Sequence, residues 1–445
     1  MGNKRKEFVV KRNRCKKIAA ALLCMVMGCT PLGQGFSAAA ADATTSEEEV
    51  EINFAKALQM SLYFYDANKC GSGITGGNLE WRGDCHTEDA AVPLKPMGED
   101  YKGTNLSQEF IDAHRDILDP DGDGTIDVAG GMHDAGDHVK FCLPGSYAAS
   151  TLGWGYYEFR DAYVDSGQQW HIEDILHWFN DYYLKCTYFD ENGDILAFCY
   201  QVGEGDIDHN YWNAPELQNE SLLDFARPAY FATVETPASD MCAGVAASLA
   251  VNYLNFKDTE PEYAERCLNT AVKMYEFAVK THSEAEDGKT VTSLGYDGGF
   301  YTSSYDYDEL AWAAVWLYEC TGEYDYINDI IAVDENTSGD MGAHPYTGYL
   351  KRIIADTGNC WQNIWVHCWD TVWGGVFAKL APITNTARDW YIFRWNLEYW
   401  SGLTLTRAGR TMFCGTCHMT RKQRHLLQIP PTRHFWQKHQ LVFPC

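Results

Sequence analysis

The segment GGMHDAGDHVKF, residues 130–141, has the densest group of candidate catalytic and metal-binding side chains in the chain. It places two carboxylates, Asp134 and Asp137, three residues apart among glycines. Because glycine lets a backbone approach a ligand closely, both carboxylates can point toward one site. One could act as a general base on a water molecule while the other orients that water. The same spacing occurs in Asx turns and helix N-caps, so the pattern alone leaves both interpretations open.

Apolar residues recur with helical spacing on both sides of this segment. The spacing predicts helices over residues 54–66, 172–183, 239–256, 262–282, 308–320 and 346–356. Few stretches alternate with the period of two that is typical of half-buried strands. We therefore expect an all-α fold whose helices are joined by loops long enough to build a cleft. No Pro-rich or Ser-rich linker interrupts residues 50–400, which favours a single domain there.

The net charge limits the possible partners. The chain has 35 Lys and Arg against 62 Asp and Glu, a formal charge of −27. Nucleic acids and anionic lipids would repel such a chain. The charge is uneven, because residues 401–445 contain seven Lys or Arg and no Asp or Glu. The composition therefore changes near residue 400.

The amino terminus has the parts of a secretory signal peptide. Residues 1–17 carry eight basic side chains, and a short apolar run over Ile18–Cys29 precedes the small residues around Ala38–Ala41. We expect residues 1–41 to be a signal peptide that is removed on secretion. A buried core helix is the alternative interpretation. A lipid anchor at Cys29 is disfavoured because Met27 fits that motif poorly.

Several motifs in order resemble glycoside hydrolase family 9, the inverting cellulases. Besides Gly130–Phe141, the similar stretches are Trp81–Asp84 with Cys85 and His86, Gln201–Asp206 with Asp208, His209, Tyr211 and Trp212, Asp308–Leu310 with Trp312, and Thr386–Trp390. The resemblance covers residues 51–402 and implies an (α/α)6 barrel, incomplete at its carboxyl end. It also implies endo-β-1,4-glucanase-type hydrolysis of β-1,4-glucan, with inversion at the anomeric carbon.

The resemblance assigns the catalytic roles. Asp137 would be the general base and Asp134 its helper. The family's general acid is a Glu beyond a His-Arg motif, and neither appears after Gly402. We expect residues 403–445 to be an aberrant, disordered tail produced by a change of reading frame, and we expect low activity. The rival interpretation is a noncatalytic glucan-binding or scaffold protein that keeps the cleft.

Metal ligands are also expected. Cys70, Cys85, His86 and His133 are the thiolates and imidazoles that zinc takes in structural sites, and the resemblance supports zinc there. The alternative is a Cys70–Cys85 disulfide with two solvated histidines. For calcium, the resemblance indicates Ser304, Asp308, Glu309 and Asp370. A second candidate is residues 119–127, which copy the first part of an EF-hand loop but have Gly130 at position twelve.

Aromatic side chains would hold the glucan, because the apolar faces of sugars stack on rings. The candidates lie in or near the family motifs: His209, Tyr211, Trp212, Trp312 and Trp369. No organic cofactor is implied. We expect a secreted monomer that binds glucan and neither nucleic acid nor membrane.

Overall fold

Helices form most of the regular structure in the computed structural model, which describes residues 53–218, 225–288, 290–296, 298–333, 346–353 and 367–400. The helices are α1 Phe54–Asn68, α2 Gln108–Ala113, α3 Arg115–Leu118, α4 Cys142–Glu158, α5 Arg160–Asp165, α6 Gln169–Lys185, α7 Gly205–Asp208, α8 Ser239–Phe256, α9 Pro261–Thr281, α10 Tyr307–Thr321, α11 Asp325–Ile331, α12 Trp373–Thr384 and α13 Ala387–Trp400. Short 3₁₀ turns lie at Thr87–Ala91, Pro215–Leu217 and Tyr349–Arg352. The predicted signal peptide and carboxyl-terminal tail lie outside the described residues.

Helix α8 is the centre of the core. Almost every residue along it is buried, so it has no solvent-exposed face. It packs against α4, α9 and α10. Small residues allow this close approach, because a Cβ at Gly153 of α4 would lie 2.7 Å from Val251 of α8. Helix α9 is amphipathic instead, and it turns Cys267, Ala271 and Met274 inward.

Five of the six predicted helices are confirmed within a few residues of their predicted ends. The prediction over 346–356 is wrong for its described part, where the only helical element is the turn Tyr349–Arg352. Thr347 and Gly348 both donate backbone hydrogen bonds to the carbonyl of Ala332. This segment is therefore held against the end of α11 rather than starting a helix of its own.

An antiparallel sheet, not predicted from the sequence, lies beside the helices. Its strands are β3 Lys140–Phe141, β4 Thr187–Phe189, β5 Ile195–Val202 and β6 Ala229–Ala232, and β5 pairs with the other three. A separate ribbon pairs β1 Val92–Pro93 with β2 Thr125–Ile126. Strand β5 is buried along most of its length, so its apolar run lacks the alternation that marks a half-buried strand.

A buried group of charges holds the sheet to the preceding loop. Asp89 accepts two hydrogen bonds from Arg227, at 2.8 and 3.0 Å, and pairs with Lys140 at 2.8 Å. Burial acts to raise the pKa of Asp89, but the two cations outweigh it and lower the pKa overall. Asp89 is therefore ionised, and all three side chains carry charge inside the protein.

Replacement of Asp89 by Asn should destabilise the fold strongly. The variant leaves Arg227 and Lys140 buried without a counter-charge, which typically costs about 3 to 5 kcal/mol. The exposed Asp258→Asn serves as a control and should change stability by no more than about 0.5 kcal/mol. Urea unfolding followed by tryptophan fluorescence measures both. Equal stabilities of the two variants would contradict this account of the buried cluster.

Candidate active site

The loop that carries the two aspartates is fixed at both ends. At its start, the backbone N–H of Cys70 donates to Gly131 at 2.9 Å, and that of His133 donates to Asn68 at 2.7 Å. At its end, β3 pairs with β5. Gly131 has a positive φ, and a Cβ there would lie 2.9 Å from the ring of Tyr182. Only glycine fits this turn.

Asp137 and Asp134 have different partners. The Oδ1 of Asp137 accepts from the backbone of Val139 at 3.1 Å, and its Oδ2 lies 3.1 Å from Nε2 of His209. Asp134 accepts a hydrogen bond from the hydroxyl of Tyr301. The structure thus brings the two predicted carboxylates into one site and adds Tyr301, for which the sequence held no signal.

Burial makes both carboxylates more basic than usual. It raises the pKa of Asp137, although the hydrogen bond and the charge of His209 oppose the rise. It also raises the pKa of Asp134 to about 6, against the hydrogen bond from Tyr301 and with help from the charge of Asp137. A carboxylate whose pKa is raised accepts a proton more readily near neutral pH, as a general base must.

An aromatic wall borders the carboxylates. Trp212 is 71% exposed and donates from Nε1 to the carbonyl of His209 at 2.7 Å. A Cβ at Gly136 would lie 2.7 Å from its ring, so Trp212 covers the turn between the aspartates. Trp369 packs edge-on against Tyr301, with centroids 5.0 Å apart. The open ring of Trp212 is suited to stacking on a sugar face, and Trp369 is partly buried.

The other aromatic candidates lie deeper. Tyr211 packs against Phe225 and donates its hydroxyl to the carbonyl of Ala214 at 2.9 Å. Trp312 is only 1% exposed, and its Nε1 donates to Ser150 at 3.1 Å. The assignment of Trp312 to the glucan cleft is therefore wrong, because its ring belongs to the hydrophobic core and its polar atom is already bonded.

The four predicted zinc ligands meet in one buried group. One ligand atom from each of Cys70, Cys85, His86 and His133 lies within 4.8 Å of the others. Cys70 and Cys85 are free cysteines in the structure, with no bond between their sulfurs. Burial lowers the pKa of His133 to about 4, which keeps its imidazole neutral and able to bind a metal. The donors present fit zinc.

Gln218 connects this group to the catalytic loop. Its Oε1 lies 2.5 Å from Nε2 of His86 and 2.8 Å from Nδ1 of His138. Its Nε2 donates to Asp208 at 3.0 Å, and Asp208 accepts from the backbone of His138 at 2.7 Å. An oxygen that accepts from Nε2 of His86 leaves Nδ1 as the metal-binding atom. The sequence held no signal for Gln218.

The calcium candidates at the start of α10 meet only in part. Asp308 and Glu309 are buried, and Asp308 Oδ1 and Glu309 Oε2 have no hydrogen-bond partner among the described residues. Burial raises both pKa values, that of Asp308 to about 6. Two such oxygens fit a hard cation. Ser304 and Asp370 are exposed, and Asp370 does not join a three-carboxylate group in the described part of the chain.

Most of the chain matches one family of known proteins: the sequence model of glycosyl hydrolase family 9 covers residues 54–439. The chain belongs to glycosyl hydrolase family 9. Endoglucanase A of Bacillus pumilus is 29% identical over 361 residues, 81% of this chain and 45% of the relative. Endoglucanase 4 of Bacillus sp. strain KSM-522 is 30% identical over 79% of this chain and 45% of the relative. The chain spans about half the length of these curated relatives.

Solved family 9 structures share the fold. The catalytic domain of Clostridium thermocellum CelT is 43% identical with a TM-score of 0.61, over 79% of this chain and 64% of that one. Cel9M of C. cellulolyticum in complex with cellobiose is 31% identical with a TM-score of 0.57, over 79% and 66%. The expected all-α fold of the (α/α)6 barrel type is confirmed.

The family match does not stop at the predicted boundary. It extends past residue 402 into the basic segment that the charge pattern sets apart. The match therefore gives no support to a family boundary at residue 402. That boundary and the proposed change of reading frame stay predictions, and residues 401–445 lie outside the described structure.

Proposed function

We propose that this protein hydrolyses β-1,4-glucans of the cellulose type, with inversion and with Asp137 as the general base. The buried Asp137 and the partly buried Asp134, beside the open ring of Trp212, carry the proposal. The names of the relatives support it, since they are endoglucanases. Two related solved structures are complexes with cellobiose and with cellotriose, which are sugars of the same substrate class.

Asp137 would take the proton from an attacking water. An inverting enzyme keeps base and acid about 6.5 to 9.5 Å apart so that water fits between the base and the sugar. The raised pKa of Asp137 suits this task, and His209 holds one of its oxygens. Tyr301 orients Asp134 by donating a hydrogen bond to it. Trp212 and Trp369 would position the glucan by stacking.

Protonation of the leaving group is the reaction step for which residues 401–445 supply no carboxylic acid. Glu398 is the last carboxylate of the sequence, so residues 401–445 offer no general acid. Loss of acid catalysis typically lowers a rate by about two to four orders of magnitude. We infer slow turnover of cellulose by the 445-residue chain. A noncatalytic glucan-binding or scaffold role is the second candidate.

Secretion as a monomer is part of the proposal. The proposal of secretion rests on the signal-like composition of residues 1–41. Within the described part of the chain, no helix has the length and apolar character needed to cross a membrane. Glucan is the proposed partner.

Hydrolysis of carboxymethylcellulose tests the proposal. The chain should release reducing sugar slowly, and Asp137→Asn should lower that rate by at least about 100-fold because the base is lost. Asp258→Asn, which removes an exposed carboxylate between α8 and α9, is the matched control and should hydrolyse like the parent. Retention on insoluble cellulose should be equal in all three proteins.

The outcomes separate the two candidate functions. Equal hydrolysis by the parent and Asp137→Asn would contradict the assignment of the base. Retention on cellulose with no sugar release above buffer, even by the parent, would favour the noncatalytic role.

We also propose zinc at Cys70, Cys85, His86 and His133, and calcium at Asp308 and Glu309. Zinc, when bound, would tie the segment after α1 to the loop of Asp134, since His133 directly precedes Asp134. The four convergent ligand atoms support zinc. The unpartnered oxygens at the start of α10 support calcium.

Metal analysis tests the zinc proposal. The purified protein should carry one equivalent of zinc, and His133→Ala and Cys85→Ser should each lose it. Cys320→Ser is the matched control, because a serine hydroxyl can keep the hydrogen bond that Cys320 donates to Ala250. A zinc-selective chelator, added with calcium kept in excess, should lower the Tm of the parent and the control only. A Cys70–Cys85 disulfide in a nonreducing peptide map, with no zinc, would refute the proposal.

A further inference from the structure

A second group of ligand atoms lies outside the catalytic site, in the loop between α3 and β2. The loop contains Asp119-Pro120-Asp121-Gly122-Asp123-Gly124-Thr125. Gly122 and Gly124 both have positive φ, 74° and 82°. These two glycines turn the backbone so that alternate residues face the inside of the loop.

The three aspartates of this loop converge. One carboxylate oxygen from each of Asp119, Asp121 and Asp123 lies within 4.8 Å of the other two. Three like charges at this separation repel each other unless a cation lies between them. All the donors are oxygens, which favours a hard cation over zinc or copper.

Asp119 supplies an independent observation. It is 5% exposed, and its Oδ1 has no hydrogen-bond partner among the described residues. Its Oδ2 accepts from the backbone of Gly124 at 3.1 Å and lies 3.7 Å from the guanidinium of Arg115. A buried anionic oxygen without a donor costs free energy, and a bound cation removes that cost. Asp121 and Asp123 are exposed, so water can complete the coordination shell.

We propose that this loop binds one calcium ion through Asp119, Asp121 and Asp123. Calcium accepts six to eight oxygens in flexible geometry, whereas magnesium demands a near-ideal octahedron. The ligand that an EF-hand places at position twelve is absent, since Gly130 stands there. The affinity should therefore fall in the weak range of extracellular calcium modules, with a Kd of about 0.1 to 1 mM.

The bound ion would stabilise the approach to the catalytic loop. Directly after the aspartates, Thr125 and Ile126 pair with Pro93 and Val92. Two residues further on, the backbone of Val128 donates to the carbonyl of Asp89 at 2.9 Å. The chain after the aspartates thus contacts Asp89 of the buried charge cluster and then continues to Gly130, where the catalytic loop begins. The proposal does not depend on the hydrolase function.

Calcium binding by the full chain tests the inference. Isothermal titration of the chelator-treated protein should detect one fewer calcium site in Asp121→Asn/Asp123→Asn than in the parent. The matched control, Glu99→Gln/Asp258→Asn, removes two exposed carboxylates elsewhere and should keep every site. Because Asp308 and Glu309 are unchanged in all three proteins, the count distinguishes the loop site from the site proposed at the start of α10.

Thermal unfolding gives a second readout. In chelator, the Tm of the loop variant should equal or exceed that of the parent, because the substitutions remove two of the three repelling charges. In 10 mM calcium, the Tm of the parent should rise by about 2 to 6 °C more than that of the loop variant. An equal number of sites and an equal rise in Tm would overturn the proposal. An equal rise of the parent in magnesium would overturn the choice of calcium.

Discussion

The active site depends on the buried ion pairs that Asp89 forms with Arg227 and Lys140. These two cations neutralise the carboxylate of Asp89 and also hold the catalytic loop. Arg227 donates to the carbonyl of His138 at 3.0 Å, after the second aspartate. Lys140 donates to the carbonyls of Val128 and Gly130 at 2.8 and 3.0 Å, before the first one. A single charge cluster thus fixes both ends of the segment that carries Asp134 and Asp137.

This anchoring lets two neighbouring carboxylates have different properties. Burial raises the pKa of both carboxylates, and a different hydrogen-bond partner opposes the rise in each: His209 at Asp137 and Tyr301 at Asp134. Pairs of carboxylates with distinct surroundings are a common basis for divided catalytic roles. Gln218 also helps to hold the catalytic loop, because its side chain contacts both His138 of that loop and His86 of the metal-binding group.

Local patterns predicted most of the helices well. The helix predicted over residues 239–256 has the same bounds as α8 in the structure. Asp134 and Asp137 share one site, and the four zinc candidates form a separate group. Strand β5 was not predicted because it is buried along most of its length and its sequence is a nearly continuous apolar run. Such a run does not distinguish a strand from a helix. Tyr301, Gln218 and the burial of Trp312 depend on contacts between residues far apart in sequence, which periodicity does not encode. Trp212 and Trp312 look alike in the sequence, yet one is open and the other lies in the core.

The central proposal is that Asp137 acts as a general base, while residues 401–445 supply no carboxylic acid to protonate the leaving group. Hydrolysis of β-cellobiosyl fluoride tests it most directly, since fluoride leaves without protonation while attack by water still needs the base. The account predicts fluoride release by the chain and a fall of at least about 100-fold in Asp137→Asn. Equal release by the two proteins, or none above buffer by the parent, would contradict it.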